Sequence, residues 1–369
     1  MLFTPALRRC ALACLMLPSS LFAQIPDFAS PEVSAGQVTL RYFAPKAQAV
    51  STVGFRRKDP IPMTKGADGV WSVTLTGLTP DIYSYTYNVD GATALDPRNR
   101  GVKEWIVSDN TVDVPGDKPS DWAVQAVPHG VVHRHTYASA VGARELSFQV
   151  YTPPGYDPLA KTTYPVVVLC HGYGDAETAW VLNGRANTIA DNLIARGAMK
   201  KAVIVMPYGH PVPLPEARRD GYWRKNDTAM EEAVLKEVLP LVERSYRISR
   251  DAKQRAIVGL SMGGGHALKI GLGHPELFRW VGAFSSAAPE EDRETLFASV
   301  LKSAKAKKPA TPFLWIAIGR DDFLLQRNEA FTAWLKQNNI PFGWKLSDGG
   351  HEWTVWREYL GDFLPQLFR

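Results

Sequence analysis

The stretch Ala256-Ile257-Val258-Gly259-Leu260-Ser261-Met262-Gly263-Gly264-Gly265 constrains this 369-residue chain more than any other. An apolar strand breaks at a glycine, presents a serine and runs into a small-residue helix, the pattern Gly-x-Ser-x-Gly of a nucleophile elbow. So tight a turn forces the serine into strained backbone geometry, and Gly259 and Gly263 are needed because a Cβ at either would collide with the neighbouring strand or helix. The helix beginning at Met262 aims unpaired N–H groups and its positive dipole end at the same spot, where an acyl-transfer intermediate carries its oxyanion.

Around the elbow, strands and helical patterns alternate. Strands are expected at 165–169, 202–206, 280–284, 312–318 and 342–345. Helices are expected near 186–195, 230–246, 263–272, 293–303 and 326–338. Two further strands, 131–136 and 144–151, precede them. This alternation predicts a mostly parallel sheet with helices on both faces, the α/β-hydrolase arrangement. Upstream the rhythm changes to short alternating segments, 37–42, 49–56, 69–75, 82–89 and 104–107, separated by turn signals such as Asp68-Gly69 and Asp90-Gly91. That spacing predicts a small all-β sandwich.

Residues 1–23 carry Arg8 and Arg9, an apolar run from Cys10 to Leu17, and then Pro18 to Ala23, which matches a secretory signal and predicts a secreted or periplasmic protein. The expected organisation is therefore a signal peptide at 1–23, a sandwich at 24–117, a polar linker at 118–130 and an α/β-hydrolase domain at 131–369. The apolar run is shorter than the roughly 20 residues a spanning helix needs, so no membrane partner is expected. Removing Arg8 and Arg9 reduces the formal charge from +5 to +3, too little to argue for nucleic acid. Cys170 is the one cysteine expected in the mature chain, and it ends an apolar strand, as a packing residue does.

A serine hydroxyl needs a base to take its proton and an acid to orient that base. Only His266, His274 and His351 follow Ser261. His266 lies one turn into the elbow helix and His274 at a helix end. His351 follows the last strand and Gly349-Gly350, and is the expected base. The strand 313–318 ends in Gly319-Arg320-Asp321-Asp322, where position favours Asp322 as the acid. Asp321 is read as a neighbour, and Asp348 as a turn residue. The early strand Val166 to Cys170 leads into His171-Gly172-Tyr173-Gly174, so the backbone N–H groups of Tyr173 and Met262 are the expected oxyanion donors. His171 is read as a structural hydrogen-bonding residue. Trp180, Trp223 and Trp353, with Tyr173, are candidate walls for a flat aromatic substrate. The sequence contains no Cys-x-x-Cys pair, and no metal or cofactor is expected. Every candidate group lies beyond the linker, so chemistry on a small ester is expected not to need the sandwich.

Two resemblances follow from these residues. Gly69 to Leu75, Tyr83 to Gly91 and Leu95-Asp96-Pro97-Arg98-Asn99 resemble the early-set immunoglobulin-like domain, related to glycogen-binding modules, that precedes many bacterial carbohydrate esterases. His171 to Gly174, Glu177-Thr178-Ala179-Trp180, Gly184 to Asn187, Asp191 to Ala195, Ile204 to Pro207, Gly259 to Gly264 and Gly350-His351-Glu352-Trp353 are similar to family-one carbohydrate esterases. That resemblance implies a secreted, cofactor-free serine esterase whose partner is a plant cell-wall polysaccharide or oligosaccharide ester, with feruloyl release from xylan as the leading activity. Acetyl xylan or siderophore ester hydrolysis is the alternative, and a carbohydrate-binding protein with an inactive hydrolase domain is a third reading. Tyr173 departs from the glycine-rich loop common in that family.

Overall fold

The computed structural model describes residues 26–104, 106–305 and 312–369; the expected signal segment lies outside them. Eight strands build the central sheet: β1 Val131–Ser139, β2 Arg144–Thr152, β3 Val166–Cys170, β4 Val203–Pro207, β5 Arg255–Leu260, β6 Trp280–Phe284, β7 Phe313–Gly319 and β8 Gly343–Ser347. Their order is β1-β2-β4-β3-β5-β6-β7-β8. The β1–β2 and β2–β4 pairs are antiparallel and the rest parallel. Strands β3, β4 and β5 are buried at every position, which is why they read as continuous apolar runs and not as alternation.

Five helices matter for the site: α1 Ala186–Ala195, α2 Tyr222–Glu232, α3 Ser261–Gly273, α4 Leu325–Gln337 and α5 Trp353–Phe363. One apolar layer, including Trp180, Ile189, Leu193, Tyr359 and Phe363, packs on one face of the sheet. Leu268, Ile270, Phe278, Phe297 and Phe331 belong to the layer on the other. Among the described residues no helix is long and apolar enough to cross a membrane.

Several elements depart from the sequence reading. The helix expected at 230–246 starts at Tyr222 and passes through a π-helical stretch, Ala233–Val238, before Leu239–Ser245. The helix expected at 293–303 is two, Arg293–Leu296 and Ala298–Lys305. Helix α5 was not expected at all. Glu104, Ile106 and Val107 of the segment expected at 104–107 are not in a strand, and short strands Val102–Lys103 and Asp109–Val114 flank them; Trp105 lies outside the described residues. Residues 118–130 are irregular yet fastened to α1. Asn192 Nδ2 donates to the carbonyls of Asp121 and Ala123 at 2.8 and 2.9 Å, and Arg196 pairs with Asp121 at 2.6 Å.

The N-terminal residues form two facing sheets. One orders Glu32–Ser34, Gln37–Phe43, Val70–Thr76 and Thr64–Lys65. The other orders Ile61–Pro62, Val50–Gly54, Asp81–Val89, Asp109–Val114 and Val102–Lys103. Tyr83, Tyr85 and Tyr87 sit two residues apart and so share one face, which is the buried one. They pack with Trp71, Val38 and Leu40, and Tyr85 and Tyr87 both donate to Asp96. Tyr85 and Tyr87 are core, and Tyr83 packs beside them.

Candidate active site

Ser261 has φ 52°, the left-handed region that side chains rarely adopt. The glycines on either side explain why the chain accepts it. A Cβ on Gly259 would lie 2.4 Å from the Gly263 carbonyl oxygen, and one on Gly263 would lie 2.4 Å from that of His171. The elbow is thus wedged between β3 and its own helix. Met262 occupies the first turn of α3, whose N–H groups have no acceptor within the helix.

His351 lies between β8 and α5. Its Nε2 is 3.0 Å from Ser261 Oγ, and its Nδ1 is 3.0 Å from Asp322 Oδ2 and 3.1 Å from Oδ1. In that arrangement Nδ1–H donates to the carboxylate and Nε2 is left to accept from the serine hydroxyl. Asp322 follows β7 and is buried, whereas Asp321 is exposed. Burial pushes the Asp322 carboxyl up, but hydrogen bonds from His351, the Leu324 N–H and Ser285 outweigh it and hold the group below the usual aspartate range. Asp348 is exposed and pairs with Arg320 at 3.4 Å. His266 is buried against Asp227 at 3.2 Å, and His274 contacts Glu231 and Glu276. A hydroxyl, an imidazole and a buried carboxylate connected in this order are what a serine nucleophile requires.

The loop after β3 is held by two buried histidines. His171 Nδ1–H donates to the Gly172 carbonyl at 2.8 Å, and its Nε2 accepts from the Gly209 N–H at 2.7 Å. His210 Nε2 accepts from the Gly174 N–H at 3.1 Å, and its Nδ1–H donates to the Tyr222 hydroxyl at 2.9 Å. Burial pushes His171 down to about 4 and His210 to about 2, so both stay neutral and keep these tautomers. The sequence reading missed His210, because 36 residues separate it from the loop it braces. Tyr173 sits within the Gly172–Asp175 turn, closed by the Asp175 N–H to the Gly172 carbonyl at 3.3 Å. Cys170 is fully buried and desolvation pushes its thiol up to about 12, which suits a packing residue.

Two cavities flank Ser261. The first, about 390 Å³, is shared between domains: Phe55, Arg56, Tyr83 and Lys103 come from the sandwich, and Tyr173, Asp175, Ser261, His351 and Trp353 from the α/β domain. The sandwich thus borders the cavity at Ser261, although Ser261, His351 and Asp322 all lie beyond residue 130. The second, about 740 Å³, is lined by Trp223, Asp227, Met262, Ala287, Leu296 and Arg327 among others. Trp223 and Tyr173 are half-exposed, and their rings meet at 5.2 Å where the two cavities approach one another. Trp353 lines the shared cavity. Trp180 does not: it is 1% exposed, its Nε1 donates to the Cys170 carbonyl at 2.9 Å, and its ring meets Trp353 edge-on. Its role is to brace β3. Phe323, 75% exposed with its ring 4.5 Å from that of His351, was not singled out in the sequence. No group of three or more His, Cys, Asp or Glu among the described residues is placed to hold a metal.

Residues 139–367 match the sequence model of the putative esterase family, and residues 29–110 match carbohydrate-binding module 48, the isoamylase N-terminal domain. The endo-1,4-beta-xylanase/feruloyl esterase of Xylanibacter ruminicola is 29% identical over 346 residues, 91% of this chain. The chain spans 45% of that relative's length. A solved ferulic acid esterase superposes with a TM-score of 0.54 at 27% identity, over 66% of this chain and 98% of the other. The enterobactin esterase of Shigella flexneri superposes with a TM-score of 0.64 at 20% identity, over 90% and 92% of the two chains, a likeness of fold across both domains.

Proposed function

This chain belongs to the putative esterase family, and we propose that it is a serine carboxylic ester hydrolase that cleaves hydroxycinnamoyl esters of cell-wall xylan through Ser261, His351 and Asp322. The observation that carries the mechanism is the 3.0 Å approach of His351 Nε2 to Ser261 Oγ, with Asp322 behind the imidazole. His351 takes the hydroxyl proton as Ser261 Oγ attacks the ester carbonyl. The tetrahedral oxyanion is met by the backbone N–H groups of Met262 and Tyr173, and loss of one such donor typically costs about 3 kcal/mol of transition-state stabilisation. His351 then returns the proton to the departing alcohol oxygen, leaving an acyl-serine. Water, deprotonated by the same imidazole, releases the acid and restores Ser261.

The acyl assignment rests on Trp223, an exposed ring that lines the cavity beside Met262 and meets Tyr173 at 5.2 Å. Flat apolar faces suit a hydroxycinnamoyl ring, whereas an acetyl group has no use for them. The cavity beside Met262 and Trp223 is the proposed acyl side, and the cavity shared with the sandwich the alcohol side. The segment 1–23, read as a secretory signal, supports action outside the cytoplasm, where cell-wall polymers are found. Comparing kcat/KM on methyl ferulate and on acetylated xylan tests the acyl assignment: acetyl release with no ferulate release contradicts it and favours an acetyl xylan esterase.

A further inference from the structure

Asp175 is an ionisable side chain facing the nucleophile that the proposed mechanism does not use. It is only 6% exposed, it lines the cavity shared by the two domains, and its Oδ1 is buried with no hydrogen-bond partner. A Cβ on Gly172 would lie 3.4 Å from Asp175 Oδ2 and 3.5 Å from Ser261 Cβ, so the carboxyl and the nucleophilic residue border the same small space left by the missing side chain of Gly172. Burial pushes this carboxyl up to about 7, against the opposing charge of Lys103, which reaches the same cavity from the sandwich strand Val102–Lys103.

A buried carboxyl oxygen without a donor carries a desolvation cost that a ligand hydroxyl relieves. The distance decides which hydroxyl. In a hydroxycinnamoyl ester the phenol lies a full ring and a propenoyl chain from the carbonyl carbon, whereas the nearest hydroxyls of a sugar alcohol lie two or three carbons from the ester oxygen. Only the latter match a carboxyl one glycine away from Ser261. We propose that Asp175, beside Lys103 of the sandwich, accepts a hydrogen bond from a hydroxyl of the substrate's sugar portion and so selects esters of polyhydroxylated alcohols. This deepens the reading above, since it takes Ser261 as the attacking group.

The test uses the full-length protein and substrate pairs that share an acyl group and differ in the alcohol: feruloyl arabinose against methyl ferulate, and acetylated methyl xyloside against methyl acetate. In Asp175→Ala, the ratio of kcat/KM for the sugar ester to that for the methyl ester falls on the order of ten- to a hundredfold, chiefly through KM, and Asp175→Asn recovers part of it. An unchanged ratio, with all esters losing equally, overturns the proposal and makes Asp175 a brace for the Gly172–Asp175 turn. A selective loss on methyl ferulate relative to methyl cinnamate assigns the contact to the phenol and also overturns it. A wild-type enzyme active on the acetyl pair alone refutes the feruloyl reading while leaving the Asp175 ratio to be measured, so the two failures are distinguishable. Cleavage of neither pair overturns both.

Discussion

Asp81 of the sandwich and Arg357 of α5 are bonded to one another with both side chains only 1% exposed, although 276 residues separate them. Arg56 and Thr354 also bond Asp81, and Arg56 Nε lies 3.0 Å from Glu352, the residue after His351. The sandwich therefore grips the first turns of α5, whose Trp356 ring stands edge-on 4.9 Å from the His351 imidazole. Removing one member of a buried pair strands the other charge, at a cost of about 3–5 kcal/mol.

Asp81→Ala is accordingly expected to lower the thermal midpoint and, in protein that remains folded, to reduce kcat on p-nitrophenyl acetate on the order of tenfold or more, since small misplacements of a base are expensive. Deleting residues 24–117 is expected to do at least as much. Circular dichroism with steady-state kinetics checks this. A folded Asp81→Ala protein with wild-type kcat would show that the grip is irrelevant to His351.

Asp175 predicts a pH dependence of stability. Its folded pKa, about 7, is raised above the ordinary value of 3.8, so between about pH 4 and pH 7 the folded state holds more protons than the unfolded one. Stability contributed by the neutral form is complete below pH 4 and is lost as pH rises through 7. Asp175→Asn lacks that loss, so its stability relative to wild type should rise by a few kcal/mol between pH 4.5 and pH 7.5 in urea unfolding. A difference that stays constant with pH, or falls, refutes the assignment.

The elbow, the βα alternation and the placement of His351 and Asp322 beside Ser261 were legible because each depends on local pattern and chain order. Gly259 and Gly263 announce a collision any Cβ would cause, and the end of β7 lies one residue before the Arg320-Asp321-Asp322 run. What was not legible depends on partners distant in sequence. Nothing near Asp81 or Arg56 reveals α5, and nothing near His210 reveals the Gly174 N–H it accepts. Helix α5 was missed for a different reason. Trp353, Thr354, Val355, Trp356 and Tyr359 are β-branched and aromatic residues with weak helical preference, overridden by burial of Val355, Trp356 and Tyr359 against the sheet. Trp180 was misread as a wall because composition does not distinguish a braced indole from an exposed one.

That correction separates two tryptophans experimentally. Trp180→Phe removes the donor to the Cys170 carbonyl inside the core, and is expected to cost about 1–3 kcal/mol of stability. Trp223→Ala removes an exposed ring beside Tyr173, and is expected to raise KM for methyl ferulate several-fold with little change in thermal midpoint. Denaturant unfolding and initial-rate kinetics on both variants check this. The reverse pattern would return Trp180 to the substrate and Trp223 to the scaffold.

The central claim is that Ser261 carries the acyl group, and peptide mass spectrometry of protein acid-quenched during turnover of a feruloyl ester and then digested measures it directly. Wild-type protein quenched in acid should show a feruloyl adduct on the peptide containing Ser261. Ser261→Ala should show none and should lose at least a thousandfold in kcat/KM while remaining folded. An adduct on another residue, or Ser261→Ala retaining more than a few per cent of the activity, would contradict the account.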